Sequence, residues 1–251
     1  MIETAFDDRS EPIITPGMIY GEKRNLCKTC IVTFSQVILE NVLESFEYTQ
    51  LARINACNGS TPIYGLHDGE RTVACYLSPI GSAMAATDII ETSWLTGAEH
   101  FIVFGSAGSL DRAATAGKLV VPTAAYRDEG MSYHYAPAAP YIELPGAQTV
   151  AEVFDALGVP YVRGRTWTTD AIYRETRARM SERKNEGCLC GEMEAAGAQA
   201  VCSHYGFHLY YFLMTGDVLD LPAWDVGELR AANHCLDNFH LALEIARAAE
   251  R

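Results

Sequence analysis

Five stretches of this chain, TCIVTF at 29–34, TVACYLS at 72–78, HFIVFG at 100–105, KLVVPTAAY at 118–126 and HLYYFLMTG at 208–216, carry apolar residues at consecutive positions. A strand tolerates such a run when both of its faces are covered, which requires a buried sheet with helices on each side. Helical segments stand between the runs where that arrangement needs them, at 35–47, 82–97, 147–158, 175–187 and 194–206, followed by a long C-terminal candidate from about Val226. The alternation predicts a three-layer α/β/α sandwich with a mixed central sheet. At 251 residues, with no linker and no internal repeat, the expectation is a single domain over 1–251.

Charge and cysteine usage narrow what such a domain does. A formal net charge of −13 without a basic stripe opposes a polyphosphate partner, so no nucleic acid is expected. No stretch approaches 18 uninterrupted apolar residues and the acidic N-terminus lacks the pattern of a signal peptide, so no membrane association and a cytoplasmic location are expected. Eight cysteines in that setting read as reduced thiols. Cys27 and Cys30 have C-x-x-C spacing, but no second ligand pair follows, and His204 and His208 flank a glycine, so no metal is expected.

Ligands of α/β sheets collect where strands exit at their C-terminal ends. Three exits stand out. FIVFG runs into Gly105-Ser106-Ala107-Gly108, small residues that let a ligand approach backbone N–H groups. LMTG ends at Asp217, a carboxylate that serves either as a turn former or as an acid at a cleft edge. CLCGEMEAAG sets Glu192 and Glu194 one residue apart, a spacing that shares a face in an extended chain and splays in a helix, so the pair belongs at a strand-to-helix junction. There the two acids are either helix-dipole partners or site groups.

FGSAGSL, GEMEAAG and MTGD, in that order, resemble the nucleoside phosphorylase and nucleosidase family, and YRDEGMSYHYAP at 126–137 is similar to a segment of AMP nucleosidase. The resemblance implies a homo-oligomer, dimer or hexamer, acting on a small-molecule nucleoside with no cofactor beyond inorganic phosphate as co-substrate. It implies that Glu194 accepts hydrogen bonds from the ribose hydroxyls, that Met193 packs beneath the sugar with Glu192 beside it, and that Asp217 serves N7 of a departing purine. It further implies base stacking on the segment holding Ile172 and Tyr173, and an anion or water at Gly105 and Ser106. Phosphorolysis to free base and ribose 1-phosphate is the expected reaction, purine before uridine. Hydrolysis by a nucleosidase and a catalytically decayed nucleoside-binding protein are the alternatives.

The nucleophile side departs from the family. Its phosphorylases carry a G-D-P-x-R turn after the first strand, where this chain has Phe34 and Ile38, and a second arginine at the position of Val103. The water-activating glutamate of the nucleosidases also lacks a match. Arg127 in RDEG is therefore the expected replacement for phosphate, or Asp128 or Glu129 for water, against the alternative of a charged, solvated turn. His134 stands either to cover the sugar or to pack its own loop.

Overall fold

A computed structural model describes residues 2–250. Strand β1 (Thr29–Thr33) is buried along its length and lies parallel to both β4 (Arg71–Leu77) and β5 (His100–Ser109). β5 also runs parallel to β10 (His208–Val218), and its last residues pair antiparallel with β9 (Cys188–Glu192). From β10 the ladder continues through β6 (Leu119–Asp128) to β8 (Tyr161–Thr169) and back to β9. Five strands, β5, β10, β6, β8 and β9, thus close a ring on one flank of the mixed sheet. The hairpin β2 (Tyr48–Ala56) and β3 (Gly59–Asp68) extends the other flank beyond β4, and β7 (Tyr141–Glu143) pairs with β6.

Alternating side chains of the buried strands feed two cores, which is why the sheet must be covered twice. Val32, Val103 and Tyr211 pack on one side beneath α3 (Ser82–Thr96) and α8 (Ala195–Tyr205). Their neighbours Ile31, Ile102 and Tyr210 pack on the other beneath α2 (Gln36–Ser45), α6 (Ala147–Leu157) and α10 (Asp237–Ala249). The expected three layers are present. Shorter helices complete the chain: α1 (Pro16–Tyr20), α4 (Arg112–Thr115), α5 (Ser132–Tyr135), α7 (Arg177–Asn185) and α9 (Leu229–Asn233). No helix among the described residues is long and apolar enough to cross a membrane.

Three local expectations change. Gly105-Ser106-Ala107-Gly108 is not a turn but the continuation of β5, because its backbone is paired to β10 through Ala107 and to β9 at Gly108. RDEG is not a solvated turn, since β6 runs to Asp128 in register with β8 and buries Arg127 and Glu129. The C-terminal helix is two helices, α9 and α10, with His234 in the break.

Candidate functional site

The exits of β1, β5, β9 and β10 meet around one cleft of about 920 Å³. β5 lies between the others, so its small residues form the floor. At Gly108 a Cβ would stand 2.7 Å from Leu219 Cδ1 and 3.4 Å from Asp217 Oδ1, so the glycine is what lets the Asp217 segment lie against β5. Asp217 itself sits where the β5–β10 register slips between Thr215 and Val218, an irregularity that turns its side chain into the cleft.

The paired glutamates have different jobs. Glu192 ends β9, and its Oε2 accepts the backbone N–H of Glu194 and of Ala195, each at 2.7 Å, at the start of α8. Its Oε1 accepts the Thr168 hydroxyl, and Tyr211 donates to Oε2 at 3.3 Å. Burial pushes Glu192 up while these donors, Thr168 foremost, pull it back down. Glu192 is therefore a clamp that fixes the strand-to-helix junction. Glu194 stands at the N-cap position of α8, and its Oε1 accepts the Gly81 N–H at 2.7 Å. The Met193 backbone N–H is a further donor to this carboxylate, and the side chain lines the cleft. Burial, then the neighbouring Glu192 carboxylate, push Glu194 up to about 8. Gly197 in the same motif closes the junction, since a Cβ there would lie 2.0 Å from Ser82 Oγ.

Gly105, Ser106, Ile172, Tyr173, Met193 and Asp217 all line this cleft, as the sequence reading placed them. Arg127 and His134 do not. The Arg127 guanidinium donates to Ser132 Oγ at 2.8 Å, to the Pro137 carbonyl at 2.6 Å and to the Ala136 carbonyl at 3.2 Å, with its Cζ 4.1 Å from the Tyr133 ring centre. Glu129 joins the same buried network by accepting the Ser82 hydroxyl at 2.8 Å and the Ser132 N–H. Asp128 accepts the Trp167 indole N–H at 3.1 Å and faces Arg179. Arg127 and Glu129 are thus spent inside the fold and half-buried Asp128 on Trp167 and Arg179, and His134 is exposed on α5 away from the cleft. The expectation that Arg127 reaches a phosphate is corrected by this geometry.

Glu175, Ser35, Asn233 and His234 line the cleft and escape a reading of the sequence. Glu175 faces the cleft near Asp217, and burial, then the Asp217 charge, push it up to about 7. It lies just past Tyr173, so the base-stacking segment itself pointed toward it. Trp224 donates its indole N–H to Asp217 Oδ2 at 2.8 Å. Ser35, Asn233 and His234 line the opposite wall, with Ser35 Oγ 2.8 Å from His234 Nδ1 and the Ser106 hydroxyl donating to Asn233 Oδ1. Phe34 packs on Gly105, at 3.2 Å from where a Cβ would be. The arginine that lines the cleft, Arg177, gives its guanidinium to the Leu221 carbonyl at 2.6 Å and to the Pro222 carbonyl. Among the described residues no group of three or more His, Cys, Asp or Glu is placed to hold a metal ion.

The sequence profile of the Phosphorylase superfamily matches residues 28–246. A DeoD-type purine nucleoside phosphorylase of Exiguobacterium sp. is 25% identical over 191 residues, 74% of this chain and 77% of that protein. An uncharacterized protein of Acanthamoeba polyphaga mimivirus is 29% identical over 162 residues, and the alignment spans 63% of this chain and 62% of that protein. In three dimensions, AMP nucleosidase from Bacteroides thetaiotaomicron superposes with a TM-score of 0.71 over 90% of this chain and 89% of its own, at 18% identity. Purine nucleoside phosphorylase from Toxoplasma gondii, solved with immucillin-H, gives 0.73 over 90% and 94%, also at 18% identity. The structural likenesses establish the fold, and the profile, spanning nearly the whole chain, establishes the kinship: this protein belongs to the phosphorylase superfamily.

Proposed function

We propose that this protein cleaves the N-glycosidic bond of a neutral purine nucleoside, with water favoured over phosphate as nucleophile. The observation that carries the reading is the convergence of Glu194 on one side of the cleft with the Glu175–Asp217 acid pair at its end. Breaking a ribosyl C1′–N bond leaves positive charge on the sugar and negative charge on the base. Ionised Glu194, accepting from ribose hydroxyls, gains strength as the sugar charge grows, because a buried carboxylate is poorly screened. The acid pair answers the other end. Glu175, pushed up by burial and then by the Asp217 charge, carries a proton in this partly desolvated corner, and that proton is available to N7 of a purine. Uridine has no equivalent ring nitrogen and remains a possible but poorer substrate. Ile172 and Tyr173, both exposed at the mouth, offer apolar surface to the base.

Charge supports both a neutral substrate and water. Glu175, Glu194 and Asp217 line the cleft, and Arg177 is already occupied by carbonyl groups. A 5′-phosphate or an inorganic phosphate dianion entering beside Phe34 would lose hydration without gaining a free guanidinium partner from the described residues that line the cleft. Phosphorolysis is the second reading, favoured by the similarity to a DeoD-type phosphorylase. Release of base from inosine, adenosine, uridine and adenosine monophosphate, followed by chromatography with and without phosphate, tests the proposal. Purine release that needs no phosphate and fails with the nucleotide is the expected result. Strict dependence on phosphate would restore phosphorolysis, and binding without release of any base would leave a nucleoside-binding protein.

A further inference from the structure

The wall facing Glu194 carries polar groups with no part in holding the sugar or protonating the base. Gly216 creates that wall. A Cβ at this position would stand 2.7 Å from Leu229 Cα, so the glycine lets α9 settle directly on the end of β10, where the Glu228 N–H also bonds the Gly216 carbonyl at 2.8 Å. α9 has five residues and spans roughly 7.5 Å at the usual helical rise. Its start is fixed beside Asp217, and its far end delivers Asn233 and His234 to the exits of β5 and β1. There Asn233 meets Ser106, and His234 meets Ser35.

Ser35 is itself immobilised. Its hydroxyl oxygen accepts the Ile38 N–H at 3.2 Å as the N-cap of α2, and its own N–H bonds Thr33 Oγ1 at 3.2 Å. A second lone pair on that oxygen is open to an Nδ1–H. In that tautomer His234 presents a basic Nε2, which has no hydrogen bond among the described residues, on a ring that lines the cleft and is open to water. A base oriented by a fixed third group is the arrangement by which proteins activate a nucleophile. We infer that His234 is the general base that takes a proton from the water attacking C1′, with Ser35 as its positioning residue. The inference rests on the glycosidic cleavage proposed above.

In the step this assigns, the water oxygen bonds to C1′ as the C1′–N9 bond breaks and its electron pair leaves with the base. One water proton passes to His234 Nε2. The proton held on Glu175, beside Asp217, passes to N7. The products are ribose and neutral purine, after which His234 returns its proton to solvent and Glu175 takes one up. Asn233 and Ser106, bonded to each other, flank the position of the water.

The test compares wild type with His234→Asn and His234→Gln, each checked for an unchanged melting curve, on inosine, 5′-deoxyinosine and nitrophenyl riboside in phosphate-free buffer. Wild-type release of base reports on glycosidic cleavage alone, and its absence on every substrate would overturn both readings together. The ratio of variant to wild type reports on His234. The expected result is a kcat lower by about 10²-fold on all three substrates with KM changed little, because a base on the nucleophile acts whatever the leaving group. Ser35→Ala should show a smaller fall, also in kcat. A loss seen with inosine but absent with 5′-deoxyinosine would show that His234 reads the 5′-hydroxyl and would overturn the inference. So would wild-type turnover that requires phosphate, coupled to a raised phosphate KM in the variants, which would make this wall an anion site.

Discussion

The wall of the cleft built from β9, α8 and the end of β10 is made of carboxylates and their donors, whereas the wall facing it, from the exits of β1 and β5 and from α9, carries hydroxyl, amide and imidazole groups. The first is assembled from short contiguous motifs. Glu192 holds the junction that presents Glu194 only two residues later, and Asp217 follows directly on Gly216 at the end of β10. The second is assembled from segments distant in the chain, since Ser35 and His234 are separated by nearly its whole length. Groups that must meet a developing charge sit on rigid junctions, where a small displacement would cost rate. The nucleophile side has been furnished differently, with Phe34 on Gly105 and, among the described lining residues, no arginine but Arg177, which is tied to carbonyl groups.

The sharpest way to break this contrast is Glu194→Gln. The substitution keeps volume but removes the charge facing the sugar, and kcat should fall about 10³-fold with the fold intact. Turnover near that of the wild type would show that the carboxylate wall does not touch the reacting sugar. Asp217→Asn comes next, with a fall of about 10²-fold on a purine nucleoside and only a few-fold on nitrophenyl riboside, whose leaving group needs no acid. Equal losses on the two substrates would assign Asp217 to holding Trp224 and its loop instead.

Arg127→Ala separates the site from its scaffold. Removing that guanidinium leaves Ser132 and the Ala136 and Pro137 carbonyls without their donor, so unfolding free energy should drop by about 2 kcal/mol in a denaturant titration. Turnover per folded molecule should stay within about two-fold of wild type. A specific rise in the KM for phosphate would return Arg127 to the nucleophile.

Acidity sharpens the comparison more gently. Glu194 acts ionised and is held up to about 8, so kcat/KM should climb as pH rises toward 8. Glu175 acts with its proton and is held up to about 7, so the rate on purine nucleosides should fall as pH passes 7. The overlap gives a narrow bell between the two, and nitrophenyl riboside should lack the alkaline limb. The same two shifts make a stability statement. Both carboxyl groups lie above their ordinary values in the fold, so the stability tied to them is complete below about 4.5 and is lost as pH rises through 7 to 8. Melting temperature in the unliganded protein should decline over that interval. The smallest expected effect is that of added phosphate, which should change the rate of base release by less than about two-fold.

Legibility followed the same division. The five strands read from the sequence are those buried on both faces, whose apolar runs need no partner to be recognised. The β2–β3 hairpin has mostly exposed or half-exposed residues on β2 and so lacks that signal, and the two residues that join the strands, Cys57 and Asn58, precede a Gly59 that already belongs to β3. β9 is short and carries a glycine, and it was visible only as the strand half of a junction. RDEG shows the limit of a charge pattern. Four polar or flexible residues suggested either a solvated turn or a reacting loop, and the pairing of β6 with β8 instead buried two of them in a network with Ser82 and Ser132.

By itself the sequence determined the layers, the family and the positions of Glu194 and Asp217, because each depends on residues adjacent in the chain: apolar runs that need covering, a strand end that runs straight into an acid, and two glutamates at a spacing only a junction can use. Which polar groups face the sugar from the other side was decided by the tertiary structure. Closure of the ring of strands took Arg127 away from the cleft, and the seat of α9 on Gly216 brought His234 to Ser35. A side chain's chemical role depends on what lies within about 3 Å of it in space, and for groups joined across the length of the chain only the packed fold fixes that distance.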